Sequence, residues 1–164
     1  MITDATVKAA IKARLQTGSG ADTKVVTRQK YALKAKDWLS ALRSISNAGI
    51  TNGWIIASGA KRRKKLGNKH YAYEWDYILL YFRSIRENTE ADNSDVDVNE
   101  MLQAVGVELE DDPILGFDES YELPDGALLT FDEHGEFQVD TQDTINNELH
   151  FVQARLTCFL TKQG

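Results

Sequence analysis

Along this chain the period of the apolar residues changes several times, and each change marks an element. Val7, Ile11 and Leu15 recur at helical spacing with Ala10 beside them, while Lys8, Lys12 and Arg14 take the other sides. That pattern predicts a helix capped by Thr3 or Asp4 and ended by Gly18-Ser19-Gly20. Residues 23–31 mix Thr23, Val25, Val26 and Thr27 with Lys24, Arg28 and Lys30, which suits a short strand. A second helix is expected from about Ala32 to Asn47. Ala35, Trp38, Leu42 and Ile45 fall on one stripe, Lys34, Lys36 and Arg43 face outward, and Gly49 stands where a left-handed cap belongs.

Beyond Asn52-Gly53 come a short apolar run, Trp54 to Ala57, a basic loop from Lys61 to Lys65, and a long strand-like run from His70 to Arg83. In that run Tyr71, Tyr73, Trp75, Tyr77, Leu79 and Tyr81 hold the odd positions, and Ala72, Glu74 and Asp76 the even ones. One face is therefore aromatic and the other begins polar. Past Asp76 both faces turn apolar, which predicts a hairpin that projects as an arm at its start and enters the core at Ile78, Leu80 and Phe82. Ser94 and Asp97 resemble a shortened capping box for a third helix through Val98, Met101, Leu102 and Val105 to Gly106. Pro113 and Pro124 bracket an acidic irregular stretch. Ala127–Phe131 and Glu136–Asp140 then flank the turn-like Asp132-Glu133-His134-Gly135 as a short hairpin. The closing strand, Glu148 to Lys162, puts Val152, Ala154, Leu156, Cys158 and Leu160 on one face. The predicted fold class is α+β: one domain over residues 1–164, with a largely antiparallel sheet, helices packed on one face, a long projecting β-hairpin and an acidic insertion at about 87–125.

Composition narrows the function classes. A chain of 164 residues with 42% apolar content buries roughly 70% of its unfolded surface and sustains a core without staples. The longest apolar run, Tyr77 to Phe82, is far short of the roughly 20 residues of a bilayer span, and Met1 to Leu15 holds no signal-like stretch. A cytosolic protein, or one assembled from the cytosol, is expected. The single Cys158 cannot form an internal disulfide and reads as a small core residue.

Charge changes the picture most. Residues 1–86 hold 17 Lys and Arg against five Asp and Glu, and residues 87–164 hold two against 20, so balances of +12 and −18 make up the net charge of −6. Such halves can cancel inside one molecule, pair between subunits, or leave a basic face for a polyanion. The sharpest feature is Lys61, Arg62, Arg63, Lys64 and Lys65, followed by Lys69. Near Trp54, Tyr71 and Tyr73 it could contact phosphates while aromatics stack on bases. Meeting carboxylates of a neighbouring copy is the preferred reading, and a plain solvated loop the third.

No arrangement carries a recognisable reaction. His70, His134 and His150 lack metal-ligand spacing, so no metal or other cofactor is expected. Asp95, Asp97 and Asn99 imitate a calcium loop, yet Glu100 stands where Gly belongs and Gly106 where Glu belongs. A helix N-terminus accounts for the same acids. Glu74 and Asp76 share a strand face, where cross-strand ion pairing is the simpler role than paired-carboxylate catalysis. Gly18-Ser19-Gly20 lacks the elements of a phosphate cradle. An enzyme is not expected.

The sequence of elements, from the opening helix at Thr3 to Leu15, through the hairpin around Trp54 to Phe82, to the closing strand at Glu148 to Lys162, resembles that of the tail-terminator and tail-completion (neck) proteins of tailed bacteriophages. The resemblance implies an α+β virion protein without an active site or cofactor, assembled in the host cytoplasm. It implies a homo-oligomeric ring, commonly a hexamer, that caps the tail tube and joins it to the neck, with other tail or neck proteins as partners; cations left facing a lumen could meet passing DNA. The stretch from Glu87 to Asp125 is long and acidic for that family. A ring built by heterologous contacts would use both poles of such a chain, with the basic cluster reaching a neighbour's Glu108, Glu110, Asp111 and Asp112 or its Asp118, Glu119 and Glu122. The alternative is a nucleic-acid-binding module using the same basic hairpin.

Overall fold

The computed structural model describes residues 3–20, 22–28, 35–47, 50–68, 70–85, 94–111, 127–138 and 148–163. Helix α1 spans Asp4–Ser19, strand β1 Lys24–Arg28, helix α2 Ala35–Ser44, strand β2 Ser46–Asn47, strand β3 Ile50–Gly67 and strand β4 His70–Ser84. Helix α3 spans Ser94–Asp111, strand β5 Ala127–Gln138 and strand β6 Glu148–Gln163. The sheet runs β1-β3-β4-β6-β5, with β2 paired to the start of β3. Among the described residues only β1 and β3 pair in parallel; the remaining neighbours are antiparallel. The architecture is α+β with a largely antiparallel sheet.

Alternation along the strands builds two cores, one on each face. Val25, Trp54, Ile56, Tyr77, Leu79, Tyr81, Val152, Ala154, Leu156 and Cys158 point to one side, where Val7, Ile11 and Leu15 of α1 and Val98, Met101, Val105 and Leu109 of α3 cover them. Ile55, Leu80, Phe82 and Leu149 point to the other, where Ala41, Leu42 and Ile45 of α2 meet them. The helices therefore lie on both faces rather than on one. The apolar stripe of α2 demands a surface to cover, and Val26, Ile55, Ile78, Leu80 and Phe151 supply a second one.

Three further expectations are corrected by strand pairing. The basic run is not a loop: Lys61 to Lys65 continue β3 and pair with Trp75 to Tyr71 of β4. The hairpin is not a two-stranded projecting arm, because β6 accompanies β4 along its whole length, from Ser84 opposite Leu149 to His70 opposite Gln163. Nor do residues 127–138 form a tight hairpin. Asp132-Glu133-His134-Gly135 stays within β5, paired to β6 on both sides of an irregularity between Phe131 and Glu133. A long β6 offers backbone partners throughout, and a bulge absorbs the turn-like residues without reversing the chain.

Two glycines set helix geometry. Gly20, at φ 96, caps α1, so the helix continues through Gly18. A Cβ at Gly18 would lie 2.8 Å from the Val105 Cα, so its absence lets α1 and α3 approach. Helix α3 runs past Gly106 to bury Leu109. Helix α2 stops at Ser44, before the expected Asn47. Ser46 donates to the Leu42 carbonyl at 2.6 Å, and Asn47 pairs with Ile50. Gly49, the expected cap, lies outside the described residues.

Candidate interaction surface on the upper sheet

Ser58 pairs with Tyr77 and Lys61 with Trp75, so Gly59 and Ala60 together oppose Asp76. A glycine eases this bulge, since a Cβ at Gly59 would stand 3.0 Å from the Asp76 carbonyl oxygen and β4 would have to give by a few tenths of an ångström. The extra residue reverses which face each later side chain takes. Lys61 and Arg63 turn to the α1 face, their cationic groups 4.6 Å from the Trp75 ring centre and 4.4 Å from that of Tyr71. Arg62 turns to the opposite face. Its Nη1 and Nη2 donate to the two Asp76 carboxylate oxygens at 2.8 and 3.0 Å, and its Nε donates to Glu74 at 3.0 Å.

Asp4 joins the other face to the helix. Its carboxylate accepts from Lys8 at 3.0 Å, Lys61 at 3.2 Å, the Ser58 hydroxyl at 3.1 Å and the Tyr77 hydroxyl at 3.0 Å. Burial works against its charge, but hydrogen bonds from Lys8, Tyr77 and Lys61 prevail and hold the carboxyl down at about 2. Burial, then the neighbouring Asp4 charge, pushes the Tyr77 phenol upward, so it stays protonated as a donor. Asp76 is 5% exposed and also accepts from the Thr157 hydroxyl at 2.8 Å. Burial there is outweighed by the bonds from Arg62 and Thr157, which lower its pKa.

The basic cluster thus divides. Lys61 and Arg62 brace the fold through Asp4, Glu74 and Asp76, and Glu74 and Asp76 make the cross-strand ion pairs that their spacing implies. Lys64 and Lys65 are exposed, and no ion pair to another described residue holds either. Lys69 lies outside the described residues. Of the acidic positions, Glu108 is partly exposed near the end of α3, Glu110 and Asp111 close that helix, and Asp112, Asp118, Glu119 and Glu122 lie outside the described residues. Helix α3 itself occupies part of the region read as an insertion.

Sequence reasoning missed Asp4, Ser58, Tyr77 and Thr157 as partners of this surface. An acid at the start of a helix signals a cap and says nothing of a strand 54 residues away. Other chemistry stays separate. His70, His134 and His150 sit on β4, β5 and β6, and among the described residues no three His, Cys, Asp or Glu side chains group as a metal set. Cys158 is buried, and burial followed by the Asp76 charge raises its thiol to about 12. No protein-family model matches this chain, and no curated protein sequence matches it.

Proposed function

We propose that this chain is a structural, non-catalytic virion protein of a tailed phage, a tail-terminator or neck subunit that joins the tail tube to the head connector. Copies assemble into a ring through oppositely charged surfaces. The observation that supports this reading is the origin of the carboxylates that answer the basic cluster. Asp4, Glu74 and Asp76 all belong to the basic first half. Among the described residues, no carboxylate of the acidic second half forms an ion pair with Lys61–Lys65; Asp97 instead meets Arg83 at 3.2 Å. Among the described residues, charge on the outer part of the cluster is thus left for a neighbour, and carboxylates of the second half can supply it.

Binding to nucleic acid is a second reading, because Tyr71, Tyr73 and Trp75 are only partly buried beside cations. Lys61 and Arg63 already stand over the rings of Trp75 and Tyr71, which reduces the ring surface that base stacking uses. Assembly is therefore preferred.

Light scattering and negative-stain images of the full chain test it. The expected result is a closed ring with an opening that passes duplex DNA, dissociating as salt rises and in the Arg63→Ser, Lys64→Ser, Lys65→Ser variant. A monomer at every salt concentration would overturn the reading. Under the nucleic-acid alternative, affinity for random duplex DNA would fall with salt at a slope near −0.9 per phosphate contacted.

A further inference from the structure

The sheet ends in two edges of opposite charge. On one side β1 covers β3 only from Gly53 to Ala57. Among the described residues no strand pairs with the outer edge of β3 from Ser58 to Gly67, the stretch that carries Lys61, Arg62, Arg63, Lys64 and Lys65. On the other side β5 is the rim and pairs, among the described residues, only with β6. Its twelve residues hold Asp132, Glu133 and Glu136 and no Lys or Arg.

We infer that the outer edge of β3 receives β5 of a second copy, so that the sheet continues from subunit to subunit. This deepens the assembly proposed above and rests on it. Unpaired backbone groups along an edge are a template for another strand. Which strand comes is a question of sign. Lys61 and Arg62 are already answered by carboxylates of their own chain. Two β3 edges brought together therefore oppose Arg63, Lys64 and Lys65 to the same three cations, and two β5 edges oppose three carboxylates to three, so both symmetric dimers are disfavoured. The unlike pairing sets cations beside carboxylates at strand spacing, roughly 5 Å. A contact between two different edges is heterologous, and its repetition closes into a ring or grows as a filament.

Direction is also suitable. Successive antiparallel pairings through β4 and β6 leave β3 and β5 running opposite ways. A neighbour turned about an axis along the strands therefore presents β5 antiparallel to β3. Because β1 occupies the edge up to Ala57, the incoming strand lies toward the Gly67 end. There it covers about ten residues, or roughly 30 Å of edge.

Two charge reversals in the full chain test this. Arg63→Glu, Lys64→Glu, Lys65→Glu makes both edges acidic; Asp132→Lys, Glu133→Lys, Glu136→Lys makes both basic. Each variant alone is expected to be monomeric by light scattering, with far-ultraviolet dichroism as native. An equimolar mixture is expected to recover the native mass and to slow amide hydrogen exchange over residues 61–67. Assembly by either variant alone, or a mixture that stays monomeric, would overturn the edge pairing while native assembly stands. A native chain that never assembles would overturn this pairing and the proposed function together. Mass recovery only on adding duplex DNA would also overturn it, in favour of a polyanion site.

Discussion

The same substitution, glycine to alanine, is expected to have opposite effects at two positions in the paired helices. Alanine in a helix interior is favoured over glycine by about 1 kcal/mol. At Gly106 nothing stands within 4 Å of the new Cβ, so Gly106→Ala should raise stability by roughly 0.5–1 kcal/mol. At Gly18 the Cβ would sit 2.8 Å from the Val105 Cα and 2.9 Å from its Cγ2, where ordinary contact begins at 3.4 Å. The nearest atom is backbone, so a side-chain rotation cannot relieve it, and α1 and α3 must part by roughly 0.6 Å. Overpacking of that kind costs about 1–3 kcal/mol. Set against the propensity gain, Gly18→Ala should lose about 1 kcal/mol, a separation of about 2 kcal/mol between the variants. For a chain of this size that corresponds to a melting-temperature difference of roughly 4–8 °C. Urea unfolding followed by tryptophan fluorescence measures it, with the slope unchanged. The helix contact would be refuted if Gly18→Ala proved as stable as native while Gly106→Ala gained.

Three other outcomes follow from the upper sheet. Arg62→Ser should unfold at lower urea than Lys64→Ser or Lys65→Ser, because it strips Asp76 of two donors while the lysines bond to no described carboxylate; equal midpoints would contradict the division of the cluster. Asp4 has a depressed folded-state pKa, so its contribution is present above the unfolded value of 3.8 and is lost as pH falls toward about 2. Its side chain is 33% exposed, and solvent screening reduces the contribution to about 1 kcal/mol. The stability lost between pH 5 and pH 2 should shrink by that amount in Asp4→Asn, and an unchanged loss would exclude the carboxylate as a brace. Native Cys158 should resist iodoacetamide at pH 8 and react once urea unfolds the chain, since its thiol is buried and its pKa stands near 12; rapid alkylation of folded protein would contradict its position.

Local periodicity was enough to read much of this protein. The stripe Val7, Ile11, Leu15 is buried as its spacing demands, and so are Leu42 and Ile45, Tyr77, Leu79 and Tyr81, and Val152, Ala154, Leu156 and Cys158 of β6. These follow from the chain's own geometry, because a period of 3.6 or 2 fixes which residues share a face. The same spacing also marked Glu74 and Asp76 as ion-pair partners. What it left open depends on residues far apart in sequence. A helical stripe does not say which face of a sheet it covers, so the placement of α2 opposite α1 and α3 came only from packing. Turn-like residues in β5 reverse a free chain, whereas beside a long β6 they remain a strand. The bulge at Gly59 and Ala60, invisible to any residue count, decided which cations meet Asp4 and which meet Asp76. Charge counting identified a basic cluster but treated its members alike. Strand order separated them, because a charge is satisfied by whatever lies within a few ångströms, and long-range backbone pairing sets that neighbourhood.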